Sequence, residues 1–332
     1  MSDIKRLPLR RCASYFHRLK SRYCIKKPSI YWIDVTNACN LRCVMCPQSQ
    51  SLTRKRSTMG MDMFKKIIDQ IYANKPMIKL FMSGEPLLNE DLCEMIEYAK
   101  SKGCQTVVHT NATLLTNEAA VRILNSKLDR ISFSFDGCTP EIYEKLRPPA
   151  NFRKVKSQIE NFLRLRREMG AKLPYTVVEC IRMKETEKYL PDFIDSWKKS
   201  GVDEVNVAAC MTWLDSVDEH RVEVPSNLGY KPCVSLFNSC AILSDGTVVP
   251  CCMDVNGKLP LGDITRQPFD DIWYGKQYNL LRIQHLEGNI QKNSICCGCY
   301  NTWIQSRREQ LELFALNASG IIKSSRDEIK IG

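Results

Sequence analysis

Short apolar runs alternate with amphipathic segments between Ile30 and Cys210, and this alternation constrains the fold more than any other feature of the sequence. The runs are residues 30–35, 77–82, 106–109, 130–135, 175–181 and 204–208. Between them lie residues 61–73, 90–101, 117–124, 155–169 and 190–199, whose apolar positions recur at helical spacing. Strands that alternate with helices read as a parallel sheet with right-handed crossovers, because a parallel neighbour needs a connection that returns to the same end. The series has six strands, two short of a closed eight-fold barrel. An α/β fold is expected, and an open three-quarter barrel and a doubly wound sheet both satisfy the pattern.

After Cys210 the texture changes. Residues 211–232 carry Pro225, Asn227, Gly229 and Pro232 and read as a linker. Residues 233–300 hold seven cysteines and a hairpin pattern, 241–243 and 247–249 around Ser244-Asp245-Gly246, with a helix expected over 269–284. A last helix, 303–316, is expected to pack back through Ile304, Leu311 and Phe314. With 332 residues the chain can bury one large and one small core. The divisions expected are an arm (1–29), the strand–helix body (30–210), the linker, the cysteine-rich unit (233–300) and a C-terminal helix and tail (301–332).

Seventeen cysteines are many for such a chain. The first thirty residues are charged throughout and lack an apolar core, so no secretory signal is expected. No run of about 18 apolar residues offers a membrane span. The expected compartment is the cytoplasm at low oxygen, where disulfides are not expected, which leaves metal or catalytic thiolates. Cys39, Cys43 and Cys46 follow the first strand directly. Three thiolates within eight residues can converge on one polynuclear centre, and a [4Fe–4S] cluster with three protein ligands keeps one iron open. The plain alternative is three buried thiols, or a zinc knuckle with a fourth ligand from elsewhere.

The segment Cys39-Asn-Leu-Arg-Cys43-Val-Met-Cys46 resembles the cysteine loop of the radical S-adenosylmethionine (SAM) enzymes. The resemblance continues in order. Ser83-Gly84-Glu85-Pro86 closes the second strand, like the segment that binds the methionine amino group of SAM. Thr110-Asn111-Ala112 follows the third strand, where the family often has Thr-Asn-Gly; Ala112 departs from that glycine. Ser134-Phe135-Asp136-Gly137 closes the fourth, like the family's Ser-x-Asp-Gly. Arg182 stands where relatives place a polar contact to SAM, and Met45 where they pack the adenine. The resemblance covers residues 30–210 and implies a partial (β/α)6 TIM-like barrel. It also implies SAM on a [4Fe–4S] cluster at Cys39, Cys43 and Cys46, with contacts from Met45, Gly84, Glu85, Pro86, Asn111, Ser134, Asp136 and Arg182.

Cys233, Cys240, Cys251, Cys252, Cys296, Cys297 and Cys299 resemble the small "twitch" form of the SPASM extension found on such enzymes. The resemblance implies one auxiliary [4Fe–4S] cluster at Cys233, Cys251, Cys296 and Cys299, with Cys252 and Cys297 able to replace their neighbours and Cys240 a packed thiol. A zinc ribbon is the competing reading. Cys12, Cys24, Cys93, Cys104, Cys138, Cys180 and Cys210 read as small core hydrophobes. Trp273 and Tyr278 also read as core.

Net charge is +11, and residues 1–30 contribute nine Lys or Arg against Asp3 alone. Leu9, Cys12, Phe16, Leu19 and Tyr23 give this arm an apolar stripe, suited to an anionic membrane surface, an acidic partner or the chain's own body. No nucleic-acid motif accompanies the charge, so nucleic acid is not an expected partner. The family resemblance implies formation of a 5′-deoxyadenosyl radical that takes a substrate hydrogen, with a flavodoxin- or ferredoxin-type electron donor. Oxidation of a small polyol, aminocyclitol or sugar is the leading expectation. Peptide or protein maturation is the enzymic alternative, and an iron–sulfur or zinc scaffold or electron carrier the non-enzymic one. Glu179 and Arg147 are candidates for proton transfer, and His109 reads as a packed or hydrogen-bonded residue.

Overall fold

The computed structural model describes residues 25–210, 220, 229–230, 232–290, 294–297, 299 and 303–304. The apolar stripe of the arm, most of the linker, and Leu311 and Phe314 of the expected last helix lie outside the described residues.

The six expected strands form as β1 (Ile30–Ile33), β2 (Met77–Lys79), β3 (Gln105–Thr110), β4 (Arg130–Ser134), β5 (Tyr175–Arg182) and β6 (Glu204–Ala209). They lie side by side in chain order, every pair parallel. Helices Met61–Ile71, Leu92–Ser101, Asn117–Asn125, Phe152–Glu168 and Leu190–Ser200 form the crossovers. Met61–Ile71 shows why: Phe64, Ile67, Ile68 and Ile71 fall on one stripe and are wholly buried. Each such side chain contributes about 1.5–3 kcal/mol on leaving water. Thr116 and Asn151 cap two of the starts by accepting from the N–H of Ala119 (3.2 Å) and Lys154 (2.9 Å). A sixth helix, Pro140–Leu146, is too short for periodicity to reveal, although Thr139 as cap and Pro140 at the first turn announce it.

Strand residues facing the helices, such as Ile33, Ile78, Val108, Ile131 and Val178, are fully buried. The opposite face differs. Register aligns Trp32 with Lys79, His109 with Ser132, Ser134 with Glu179, and Glu179 with Asn206. A polar, half-buried wall of this kind is the inward face of a partial barrel; in a doubly wound sheet, helices would cover both faces. The sheet does not close.

The sheet also continues past β1. Two further strands, β7 (Gly229–Tyr230) and β11 (Trp303–Ile304), pair apart from it as a small antiparallel ribbon. The hairpin of the cysteine-rich unit, β8 (Ser239–Ile242) and β9 (Thr247–Val249), joins the main sheet, with β8 parallel to β1 and β10 (Gly262–Asp263) at the edge. The order is β10-β9-β8-β1-β2-β3-β4-β5-β6. All four residues of β8 are buried, as befits a strand covered on both faces.

Two expectations are corrected. The helix expected over 269–284 is two helices, Phe269–Trp273 and Lys276–Leu286. Gly275 separates them where a Cβ would lie 2.3 Å from the Asp271 carbonyl oxygen. Trp303 and Ile304, expected to open a helix, are extended because their backbone pairs with Gly229 and Tyr230, a long-range partner that local spacing does not disclose. Trp273 and Tyr278 are fully buried.

Candidate active site

The carboxyl ends of the strands are tied together by buried polar groups. β1 runs into Asp34, whose carboxylate accepts from Arg54 Nη2 (2.7 Å) and from Ser83 N (3.2 Å) and Oγ (3.0 Å). The start of the cysteine loop is thus fixed to the end of β2. A Cβ on Gly84 would lie 2.2 Å from the Thr36 oxygen and 2.5 Å from that of Ala38, so only glycine permits the approach. Glu85 N donates to Ala38 O (2.8 Å). The Glu85 carboxylate is buried and accepts from Thr110 Oγ1 (2.6 Å), Asn111 N (2.7 Å) and Leu87 N (3.1 Å). Burial still pushes its pKa up. Asn111 Nδ2 donates to Asn40 Oδ1 (3.0 Å) and stands 3.9 Å from Cys39 Sγ. Ala112 adopts φ 58°, the left-handed region that glycine enters without cost.

The other side of the loop is held by the helix Pro140–Leu146. Val44 N donates to Leu146 O (3.0 Å) and Arg42 N to Pro148 O (2.6 Å). Arg147 Nε donates to Asp136 Oδ2 (2.7 Å), and its Nη1 stands 3.9 Å from Cys43 Sγ. Asp136 Oδ1 accepts from Ile181 N (2.6 Å). Burial opposes the Arg147 charge, yet Asp136 and Cys43 beside it push its pKa up.

Cys39, Cys43 and Cys46 are thereby gathered into one electrostatic neighbourhood. Burial pushes the Cys43 thiol up to about 12, opposed by Arg147 and reinforced by the charges of Cys46 and Cys39. Cys39 and Cys46 are raised by burial as well. Metal ligation deprotonates such thiols, and N–H donors near the sulfur tune a cluster. Three soft thiolates beside Arg147 and Asn111 fit an iron–sulfur group. Met45 and Pro86 are buried beside this loop, and Ser134 is half-buried on the inward wall. Arg182 is half-exposed and pairs with Glu187.

The second set assembles where β9 ends. Cys251 feels Cys252, Cys233 and Cys296; Cys252 feels Cys299 and Cys233; Cys296 feels Cys299 and Cys233. Burial drives all three thiols up, Cys252 to about 12 and Cys296 to about 11. Cys252 therefore belongs to the group, Cys297 is exposed, and Cys240 is buried within β8. Five thiols offer soft donors for a second cluster. Among the described residues, no three His, Cys, Asp or Glu side chains close on a single metal ion.

Between the two sets lies the inward wall. His109 stacks on Phe81 with ring centroids 3.8 Å apart, and Phe81 meets Trp32 edge-on at 5.0 Å. Lys79 Nζ lies 4.6 Å from the Trp32 ring centroid. Glu179 Oε2 is 3.4 Å from His109 Nδ1. Burial raises the Glu179 carboxyl to about 7, helped by Asp136 and opposed by Arg130, Arg147 and Lys79. Burial, with Lys79 and Arg130, lowers His109 to about 3, so the imidazole is neutral. Lys79, Trp32 and Phe81 escaped the sequence reading. Their signal was alternation: each stands at a second-position step of its apolar run, on the face that Glu179 shares.

An open parallel sheet with a three-cysteine loop at the carboxyl end of its first strand defines the core of a radical SAM enzyme. The sequence model of the Radical SAM superfamily matches residues 33–195, and that of the SPASM iron–sulfur cluster-binding domain matches residues 233–300. The chain belongs to the radical SAM superfamily and carries a C-terminal SPASM domain, which implies SAM and [4Fe–4S] clusters as its cofactors.

It is 24% identical to the AdoMet-dependent heme synthase of Methanosarcina barkeri over 81% of this chain and 90% of that one. It is 25% identical to the PqqA peptide cyclase of Bradyrhizobium diazoefficiens over 54% of this chain, spanning 46% of that relative. Among solved structures, BtrN in complex with AdoMet and 2-DOIA aligns with TM-score 0.57 and 20% identity, covering 85% of this chain and 96% of BtrN. Streptococcus suis SuiB bound to the precursor peptide SuiA aligns with TM-score 0.67 and 15% identity, covering 90% and 76%. These structural likenesses establish the fold. Among the described residues, no helix is long and apolar enough to cross a membrane.

Proposed function

We propose that the chain oxidises a carbinol of a small polyol, aminocyclitol or sugar to a carbonyl, with an auxiliary cluster as electron acceptor. The observation that carries the reading is Glu179 on the inward wall, paired with a neutral His109 and poised near pH 7, where a general base works best. Cys39, Cys43 and Cys46 hold the SAM-binding cluster, and Cys233, Cys251, Cys296 and Cys299 hold the auxiliary one, with Cys252 within reach of the same group. Met45, Gly84, Glu85, Pro86, Asn111, Ser134, Asp136 and Arg182 line the SAM side.

When bound, SAM on its reduced cluster supplies a 5′-deoxyadenosyl radical that takes one hydrogen atom from a substrate C–H bond. Glu179 accepts the hydroxyl proton, and the remaining electron leaves toward Cys251 and Cys252. Loss of the hydrogen atom, the proton and the electron together converts the carbinol to a carbonyl. Phe81, Trp32 and the His109 ring cover one side of the lumen and keep water from the radical. Arg147 pairs with Asp136 and stands beside Cys43, which makes it a holder of the cysteine loop. A flavodoxin- or ferredoxin-type protein delivers the electrons, and the basic arm meets an anionic membrane surface or the chain's own body.

The reading is tested by anaerobic reconstitution followed by dithionite and SAM. About eight irons per chain and release of 5′-deoxyadenosine are expected. Zinc in place of iron, or intact SAM, overturns it. A panel of aminocyclitols and sugars is then assayed beside peptides and iron-coproporphyrin III. The peptide-modifying alternative draws on the identity with the PqqA peptide cyclase, and turnover of a peptide alone would favour it.

A further inference from the structure

We propose that Lys79 is a positioning residue for the electron acceptor, its ammonium standing across Trp32 from Cys251 and Cys252 and setting the reduction potential of the cluster held there. The inference rests on the reading of the second cysteine set as cluster ligands.

Register places Lys79 beside Trp32, Trp32 beside Ala241, and Ala241 beside Val249. These four residues run across β2, β1, β8 and β9 on one face of the sheet, and Val249 stands two residues before Cys251. Trp32 packs against Ala241, Leu243 and Val249, so the indole bridges the barrel wall and the cysteine-bearing hairpin. Lys79 Nζ lies 4.6 Å from the centroid of that indole, turned toward the hairpin side of its strand. Among the described residues Lys79 forms no ion pair. Its charge reaches Cys252, where it is the largest influence after burial, and it also reaches Glu179 and His109.

A cation in a half-buried wall, with no ion pair among the described residues, is an odd expense for stability alone, because part of its hydration is lost without a direct carboxylate contact in return. Beside an iron–sulfur cluster it has a defined effect. Reduction adds one negative charge, and a nearby ammonium favours that charge, the more so in a poorly screened site. The potential of the auxiliary cluster therefore rises, which makes it the better acceptor of an electron from the substrate. The carboxyl that takes the proton feels the same cation, so one side chain biases both exits toward oxidation.

The test is an EPR redox titration of the full chain carrying Cys39→Ala, Cys43→Ala and Cys46→Ala, which leaves only the auxiliary cluster. Lys79→Met is expected to move its midpoint to a more negative potential, and Lys79→Arg to keep it near the parent value. Lys79→Gln, closer to lysine in length and polarity, repeats the measurement should Met impair loading. A midpoint unchanged in Met and Gln overturns the proposal and leaves Lys79 as an anchor for an anionic substrate group. Iron is counted first on the parent chain with all cysteines in place. About four irons there, in place of about eight, removes the two-cluster reading and the proposal with it, whereas eight irons with an unmoved midpoint removes the proposal alone.

Discussion

Arg147 and Asp136 form a buried ion pair, Nε to Oδ2 at 2.7 Å, at the point where the barrel wall meets the cysteine loop. The pair joins three elements. Asp136 closes β4 and accepts from the backbone of Ile181 at the end of β5. Arg147 follows the helix Pro140–Leu146 and, with Nε and Nη2 on Asp136, extends its third nitrogen, Nη1, toward Cys43. A positive group is thus locked beside thiolates that a cluster requires, and its own countercharge is locked in turn.

Removing the guanidinium leaves the fully buried Asp136 carboxylate without its ion-pair partner. Arg147→Ala is expected to destabilise the fold by about 3–5 kcal/mol, because an unpaired buried charge remains. Anaerobic urea denaturation measures this. Arg147→Lys should recover only part of the loss, since an ammonium cannot fork between Asp136 and Cys43. Stability equal to the parent in Arg147→Ala would show that the pair contributes nothing.

Glu179 gives a pH dependence of definite sign. Turnover that needs its carboxylate rises as pH increases through about 7, the value set by burial and by Asp136, Arg130, Arg147 and Lys79, with the neutral His109 ring beside it. Glu179→Gln should lower substrate oxidation by about 10²–10⁴-fold while SAM cleavage persists. Stability moves the other way. The folded value lies above the ordinary 4.5, so the contribution of the protonated carboxyl is complete below about 4.5 and is lost as pH rises through 7. Glu179→Gln should flatten that segment of the stability profile, read as the melting temperature across pH 4–8.

Arg282 offers a test in the SPASM domain. Its guanidinium is fully buried, 4.1 Å from the ring centroid of Trp273 and 4.5 Å from that of Tyr278, and donates to the carbonyls of Leu236 (2.9 Å) and Trp273 (2.7 Å). Arg282→Met fills similar space but leaves both carbonyls without that donor. A loss of about 1–3 kcal/mol per stranded group is expected, seen as a lower denaturation midpoint. An unchanged midpoint would mean that neither the hydrogen bonds nor the ring contacts of the guanidinium add stability to this region.

Much of this was legible because it is local. The apolar runs from Ile30 onward and the stripe Phe64, Ile67, Ile68 and Ile71 obey fixed periods, and the loop Cys39 to Cys46 is contiguous. What escaped depends on residues distant in sequence. The pairing of β8 with β1 brings Ala241 beside Trp32 across some two hundred residues, and no spacing rule announces it. Gly275 sits between the two helices where any Cβ would clash with the Asp271 carbonyl, a close approach that exists only once both turns are built. Lys79 has no sequence signal of its own; register places it on the face shared with Glu179.

The two cysteine sets should fail differently. Cys39, Cys43 and Cys46 lie beside Asn111, Arg147 and the glycine turn at Gly84, the surroundings proposed for SAM. Cys233, Cys251, Cys296 and Cys299 neighbour one another at the end of the β8–β9 hairpin, on the other side of β1 from β2. Replacing the first three with Ala should abolish 5′-deoxyadenosine formation and remove about four irons. Replacing Cys233 and Cys251 should also remove about four irons but spare some SAM cleavage, while oxidised product disappears. Because Cys252 feels Cys233 and Cys299, Cys251→Ala alone should retain part of the second cluster if Cys252 takes over a ligand position, and Cys251→Ala with Cys252→Ala should lose it. Iron content, EPR and chromatographic assay of 5′-deoxyadenosine separate these outcomes, and identical behaviour of both sets would contradict the division of labour between them.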